Sequence, residues 1–333
     1  MPIVRINEPI AEWQDGDFAQ GYALVVRREV RQDRKGRDYV DLELADASGS
    51  LPAKIWPDSP AQKSRIVEKG FIAFKGTVRQ FRDQLQLNLD HCREVNDSDR
   101  EKGFDESVLV PTAPQGIESL WARFEAIFPA QIRRPELQRL TGELLDRHGE
   151  SLREHPAAKS IHHAYRGGLL EHVVYMAEMA IKICELYEEL DRDLVLLGVL
   201  LHDLGKLREL GSMPANDYTK EGQLVGHIVL GHSMLTDACR AVEPAVPDFL
   251  RLHLEHLVLS HHGQREYGSP IEPSTAEALV LHEIDSLDSK LNQLRSLRRN
   301  GAHGMHFHRP MGRNLFFDPE LDPNSPAGET KSD

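Results

Sequence analysis

The side chains best suited to chemistry lie in the C-terminal two-thirds of the chain: His172, the adjacent pair His202-Asp203, His227, the pair His261-His262, and Asp285. His202-Asp203 closes the apolar run Leu196-Leu197-Gly198-Val199-Leu200-Leu201. An ionised carboxylate buried beside an imidazole is costly unless a charge compensates it, and a divalent cation does so directly. Successive helix positions are about 100° apart, so the two neighbours can grip one ion from two sides, or the Asp can bridge two ions. His172 and Asp285 belong to two other helical stretches, and His172 too stands among apolar residues. Imidazole plus carboxylate ligation suits manganese, iron, cobalt, zinc or magnesium, and not a metal that prefers thiolates.

Each residue also has a plainer reading. A lone buried His is commonly a hydrogen-bonded core residue, His-Asp is a common dipeptide, and Asp285 could face solvent. The ordered combination is what points to metal. His227, His261 and His262 extend it toward a second ion sharing Asp203, although adjacent helix positions such as 261 and 262 tend to point apart. Two ions together clamp both oxygens of an in-line phosphoryl displacement. His282, one turn before Asp285, is placed to support a ligand from behind. His232, His253 and His256 are expected to be structural or at the surface. Gly205 allows close backbone approach after the pair, and Lys206 sets a cation beside it.

The elements that must position these groups fall into two kinds. Phe18 to Val30, Tyr39 to Leu44, Leu51 to Trp56, Gly70 to Phe81 and Gln84 to Asp90 read as five short strands separated by Gly and Asp turns. That count predicts a small β-barrel of the OB type over residues 1–95. Residues 96–116, rich in Asn, Asp, Pro and Gly, read as a linker. From 117 to 318 the pattern is helical: Ile117 to Phe128, Pro135 to His148, Leu169 to Leu190, Leu194 to Leu201, Gly226 to Val242, Pro247 to Ser260 and Thr275 to Arg299. The expected fold is therefore multidomain, an OB-like barrel followed by an all-α metal-binding domain, with 319–333 expected as a disordered tail.

Bulk properties restrict the function further. No apolar run reaches the roughly 18 residues of a membrane span, and the N-terminus lacks a signal-peptide core, which suggests a cytoplasmic protein. Cys92, Cys184 and Cys239 are too scattered for a disulfide framework or a zinc knuckle. The 333 residues carry 53 Asp and Glu against 40 Lys and Arg, a net charge of -13, yet the first ~95 residues are roughly neutral. An acidic balance argues against indiscriminate nucleic-acid binding, because phosphate neutralisation dominates that affinity. Of 17 histidines, most follow residue 145.

The order His172 … His202-Asp203-Leu204-Gly205-Lys206 … Asp285 resembles the HD-domain superfamily of metal-dependent phosphohydrolases over roughly residues 150 to 300. That resemblance implies an all-helical domain with these four residues as ligands. A narrower likeness rests on K-S-I-H-H-A-Y-R-G-G-L-L from Lys159 to Leu170, Gly226-His227-Ile228-Val229-Leu230-Gly231-His232, Leu259-Ser260-His261-His262-Gly263 and Glu266-Tyr267-Gly268-Ser269-Pro270. With a preceding β-domain, these segments resemble the YhaM-type 3′→5′ exoribonucleases, which pair an OB-fold with an HD domain. The likeness implies stepwise hydrolysis from the 3′ end of single-stranded RNA, in some members single-stranded DNA, with manganese-type metals. His227 and His261 match additional histidines of two-metal members.

The expected chemistry is metal-hydroxide attack on a phosphodiester, with Asp203 bridging and Lys206 or Arg166 steadying the phosphate. His162, His163 and Arg166 precede the first ligand, where phosphate contact is expected; a polar loop capping the next helix is the equal alternative. On the barrel, Arg79 and Phe81 alternate onto one face and could stack bases and meet phosphates. Arg27, Arg28, Arg31, Arg34, Lys35 and Arg37 crowd one hairpin, either to contact nucleic acid or simply as a solvated charged surface. Two other functions fit the same residues: a nucleotidase or cyclic-nucleotide phosphodiesterase, and a non-catalytic single-strand-binding module with a structural metal.

Overall fold

The computed structural model describes residues 3–81, 84–159, 163–214, 216–299, 302–318 and 321. His162 and, apart from Leu321, the tail expected from residue 319 onward lie outside the described residues.

Six strands form the first sheet: β1 (Val4–Ile6), β2 (Phe18–Gln32), β3 (Asp38–Asp46), β4 (Gly49–Ile55), β5 (Phe71–Phe81) and β6 (Gln84–Glu94). The N-terminal half of β2 pairs antiparallel with β5, Phe18 opposite Thr77 and Leu24 opposite Phe71. Its C-terminal half pairs with β3, Leu24 opposite Ala45 and Gln32 opposite Asp38, after an irregularity between Val25 and Arg27. One long bent strand thus serves both ends of the sheet. With β3–β4, the parallel β4–β6 pair and β5–β6, it closes a five-stranded barrel, and β1 is an added parallel edge. Closure needs a tight corner on β5, where the register shifts at Lys75/Gly76. A Cβ on Gly76 would stand 2.3 Å from the Asn88 carbonyl oxygen, so only glycine permits that approach. The inward residues, Ala19, Ala23, Val25, Leu42, Leu44, Ala53, Ile55, Ile72, Phe74, Val78, Leu87 and Leu89, are buried, as period-2 alternation requires.

Residues 96–116 are more than a linker. They wind into two 3-10 turns, Asp97–Lys102 and Glu106–Val108, the first closed by a capping box of Asn96 and Asp99. Asp99 is buried and accepts two hydrogen bonds of 2.6 Å from Arg93, while Phe104 packs edge-on against Tyr22 and Phe71. The Asn, Asp and Ser that suggested a free linker cap these turns instead, and the connection is docked on the barrel.

The helical part comprises α1 (Ile117–Gln131), α2 (Pro135–Glu154), α3 (Gly168–Leu186), α4 (Arg192–Leu201), the short α5 (Lys206–Glu209) and α6 (Lys220–Val225), α7 (His227–Ala241), α8 (Asp248–Ser260) and α9 (Ala276–Arg299). α4 is apolar nearly all round and lies at the centre, with Leu194 to Leu201 all buried. Asp191 caps its start by accepting from the Leu194 N–H, and the buried Asp193 accepts from the backbone of Arg133 and Arg134 at 2.9 and 2.7 Å. α1, α2, α3, α8 and α9 pack around it through one continuous core. The domain is not helical to residue 318, because a hairpin follows α9: β7 (Gly304–His308) paired antiparallel with β8 (Arg313–Phe317). Two five-residue strands are too short for alternation to stand out in the sequence, and only His308 and Phe317 turn fully inward.

Candidate metal centre

The buried end of α4 delivers the pair. His202 closes the helix and Asp203 stands in the turn into α5. That turn is possible because of Gly205, where a Cβ would meet the His227 carbonyl oxygen at 2.0 Å and the Gly231 nitrogen at 2.6 Å. The chain before α5 and the start of α7 therefore touch backbone to backbone, which sets His227 against Asp203. α3 supplies His172, the turn after α8 supplies His261 and His262, and α9 supplies Asp285.

The two oxygens of Asp203 face different groups. Oδ2 lies 3.3 Å from His202 Nε2 and 3.8 Å from His172 Nε2; His172 Nε2 is also 3.4 Å from Asp285 Oδ1. Oδ1 lies 3.5 Å from His227 Nε2 and 3.9 Å from His261 Nε2. His262 joins this second group, its ring centre 5.1 Å from that of His227 and 4.4 Å from that of His261. The expected divergence of positions 261 and 262 does not occur, because α8 ends at Ser260 and the turn brings both rings inward. Ligand atoms of His172, His202 and Asp203 all lie within 4.8 Å of one another, as do those of His227, His261 and His262.

The other ring nitrogen of each histidine is already engaged. Nδ1 donates to Asp288 Oδ2 from His172 (2.7 Å), to the Val199 carbonyl from His202 (2.8 Å) and to Glu209 Oε1 from His227 (3.0 Å). It donates to the Val258 carbonyl from His261 (2.7 Å) and to the Tyr267 carbonyl from His262 (2.8 Å). An acceptor at Nδ1 leaves Nε2 with its lone pair directed into the cluster, which is how metal-binding imidazoles are oriented. The Nε2 atoms of His227 and His261 are buried with no hydrogen-bond partner among the described residues. A buried acceptor left unpaired is costly, and a cation is the partner that fits this donor set.

The charges show what a cation would replace. Burial works against a charged His172, but Asp285 and Asp288 outweigh it and raise its pKa to about 10, so a metal must displace its Nε2 proton to bind there. Burial also opposes ionisation of Asp203, yet Lys206 and His202 hold it well below the ordinary carboxylate range. Lys206 Nζ is 2.6 Å from Asp203 Oδ2, and that carboxylate keeps the ammonium charged against the effect of burial. His261 is pushed well below its ordinary value by burial and by His202, so it is neutral, as a ligand must be.

Other expected residues are placed elsewhere. His163 is not available to a phosphate: it is 1% exposed, its Nε2 is 3.0 Å from Asp288 Oδ2, and its Nδ1 is 3.0 Å from Glu171 Oε2. It braces Asp288, which braces His172. Arg166 pairs with Glu154 while its backbone bridges to Thr112, and among the described residues no hydrogen bond or ion pair joins it to the histidine cluster. Arg79 and Phe81 are exposed at the end of β5. Arg27, Arg31 and Arg37 pair with Glu29, Asp41 and Asp33 at 2.9, 3.0 and 3.0 Å, which balances the charge of three of the six cations on that hairpin. His282 donates to the His261 carbonyl at 2.8 Å, supporting a neighbour as its spacing suggested. His253 and His256 bond only to nearby backbone, and His232 lies 3.9 Å from Glu255.

Sequence reasoning missed Asp288, Glu209, Glu171 and Tyr165. For Asp288 there was a signal, since it follows Asp285 by three residues on one helix face. Glu209, which takes both the Nδ1–H and the backbone N–H of His227, had none, because α5 is too short to show a period.

The HD domain family model matches residues 169–290, and a model described as a putative helicase matches 117–189. The 3′-5′ exoribonuclease YhaM of Shouchella clausii (strain KSM-K16) is 36% identical over 285 residues, 85% of this chain and 88% of that protein. Among solved structures, the second OB-fold domain of replication protein A from Methanococcus maripaludis is 18% identical, covering 27% of this chain and 95% of that one, with a TM-score of 0.23. An OB domain from Methanosarcina mazei is 13% identical, covering 28% and 85%, with a TM-score of 0.24. A barrel closed by one bent strand, a helical HD domain behind it, and more than a third of residues shared along most of both chains lead to one conclusion: this protein belongs to the YhaM family of 3′-5′ exoribonucleases.

Proposed function

We propose that this protein is a metal-dependent 3′→5′ exoribonuclease that shortens single-stranded RNA, and that it accepts single-stranded DNA by the same chemistry. The observation that carries this is the double-sided Asp203, whose two oxygens each face a separate set of inward-pointing imidazoles. His172, His202, Asp203 and Asp285 would hold one divalent ion. His227, His261 and His262 would hold a second, with Asp203 shared. Manganese is the expected ion, and the nitrogen–oxygen donor set also admits cobalt, iron, magnesium or zinc. When bound, such ions supply Lewis acidity toward the phosphodiester and a nucleophile at neutral pH.

The protein's own groups do the rest. Asp288, Glu209 and three backbone carbonyls fix the imidazole rings, so the cluster needs little reorganisation on loading. Lys206 keeps a positive charge at the edge of the cluster, where it steadies the negative charge gathering on the scissile phosphate. The barrel offers Arg79 and Phe81 on an exposed strand end, suited to a base and a phosphate of the incoming strand. No helix among the described residues is long and apolar enough to cross a membrane.

Full-length protein with manganese is given RNA labelled at the 5′ end and, separately, at the 3′ end. The 5′ label should pass through a ladder of shortening products, while the 3′ label appears at once as mononucleotide. No shortening of either strand by protein that holds its metal would end the proposal. Faster turnover of free mononucleotides than of oligomers would convert it to a nucleotidase.

A further inference from the structure

From Ser289 to Phe317 the chain carries Lys290, Arg295, Arg298, Arg299, Arg309 and Arg313 and not one Asp or Glu, within a protein of net charge -13. This stretch is the C-terminal half of α9 and the β7–β8 hairpin. The outward face of the hairpin is apolar: Met305, Phe307 and Phe316 are 67%, 61% and 65% exposed. Met305 stands opposite Phe316 in the antiparallel register, and Phe307 lies two residues along, so all three share a face. The inward residue Phe317 is buried, with the Arg298 guanidinium 5.9 Å from its ring centre. On the barrel hairpin Arg27, Arg31 and Arg37 have carboxylate partners, whereas no ion pair among the described residues takes up Lys290, Arg295, Arg309 or Arg313, Arg295 lying over the Tyr175 ring at 5.0 Å.

We propose that this face is a second binding surface for single-stranded RNA, separate from the barrel. Exposed rings on one face, with Arg309 in the turn and Arg313 opposite His308 at the turn end of the hairpin, supply the two parts such a surface needs: rings on which bases stack, and cations that follow the phosphates. Among the described residues Phe307 and Phe316 stay mostly exposed, and the local charge fits a polyanion. A second copy of this chain would bring the same cations face to face, which opposes pairing through this surface. The placement also suits the substrate. Arg298 follows Asp285 by thirteen residues on the same helix, roughly 20 Å along its axis at about 1.5 Å per residue. A strand with its 3′ end at the histidine cluster would cross to the hairpin within a few nucleotides. The inference rests on the exoribonuclease reading and extends it: the hairpin holds RNA upstream of the cut and favours long substrates over short ones.

The test uses the full chain and two probes, a phosphorothioate oligoadenylate for binding and a dinucleotide for hydrolysis. Phe307→Ala with Phe316→Ala should raise the Kd for the oligomer by at least about tenfold, the loss of a stacked base. Dinucleotide hydrolysis should stay unchanged, which also shows that the variant is folded. Phe307→Trp with Phe316→Trp should keep the parent affinity. Arg309→Gln with Arg313→Gln should reduce the slope of log Kd against log salt by about 1.4, at about 0.7 per single-strand phosphate contact. Unchanged oligomer affinity and salt slope, with the parent still shortening RNA, would overturn the surface and leave the nuclease standing. A parent that neither binds nor shortens RNA would remove both. If the Phe variants instead dissociate an oligomer seen by sedimentation, with RNA affinity untouched, the face is a contact between copies and the proposal fails.

Discussion

Asp288 is not among the residues assigned to the metals, yet removing its charge should weaken metal binding through His172, which it touches. Its Oδ2 accepts from His172 Nδ1 at 2.7 Å and from His163 Nε2 at 3.0 Å. In Asp288→Asn the amide oxygen can stand where Oδ2 stands and still meet both imidazoles, but as a neutral and weaker acceptor. His172 is then held less firmly with its Nε2 toward Asp203 and Asp285. Loss of such a partner behind a ligand typically costs 10–100-fold in metal affinity, about 1.4–2.7 kcal/mol. A second effect works in the opposite direction. Asp288 is one of two carboxylates that raise the His172 pKa to about 10, so the variant sheds that proton more readily and meets less competition for the ion. Near neutral pH the two partly cancel, and the expected loss is about tenfold, at the lower end of that range. The gain of affinity with rising pH should also level off earlier than in the parent. The assay is manganese titration of the purified variant, by calorimetry or by the resonance signal of free manganese, with circular dichroism to confirm the fold. A folded variant with parental affinity and an unchanged pH slope would refute the idea that Asp288 positions His172.

Three further outcomes follow from the same geometry. Gly205→Ala should separate the α5 turn from α7, because the new methyl meets backbone at 2.0 Å; metal content measured by emission spectroscopy should fall while the helical signal persists. Phe124, fully buried against Trp121 and Phe128 at ring distances of 4.9 and 4.5 Å, should cost about 3–5 kcal/mol on replacement by Ala, read from urea midpoints. Burial holds the His155 pKa below its ordinary 6.5, so the folded protein binds fewer protons there than the unfolded chain. Its contribution to stability is therefore complete above that value and is lost as the pH falls below it; His155→Gln should flatten that part of a stability–pH curve, and an unaltered curve would show that His155 is not its source.

Much of this molecule was legible before its structure. The five barrel strands and the seven longer helices follow from apolar residues at periods of 2 and 3.6, since burial on one face imposes those periods wherever an element is long enough to repeat. That His172, His202-Asp203 and Asp285 would come together was legible because a carboxylate at the end of a nearly all-apolar helix calls for charged or polar partners around it. Chain order and residue type also singled out His227, His261 and His262. What the sequence could not decide was which groups meet across elements. Only the tertiary structure turns Asp288 toward both His172 and His163, and Glu209 toward His227, because those partners come from different helices. It also withdraws His163 into the interior and pairs Arg31 with Asp41 on the facing strand, where the sequence left nucleic-acid contact and a solvated charged surface both open. The division of Asp203 between two sets of imidazoles belongs to the same class of fact: residue types supply the possible ligands, and the packing of α3, α4, α7, α8 and α9 determines which oxygen each of them faces.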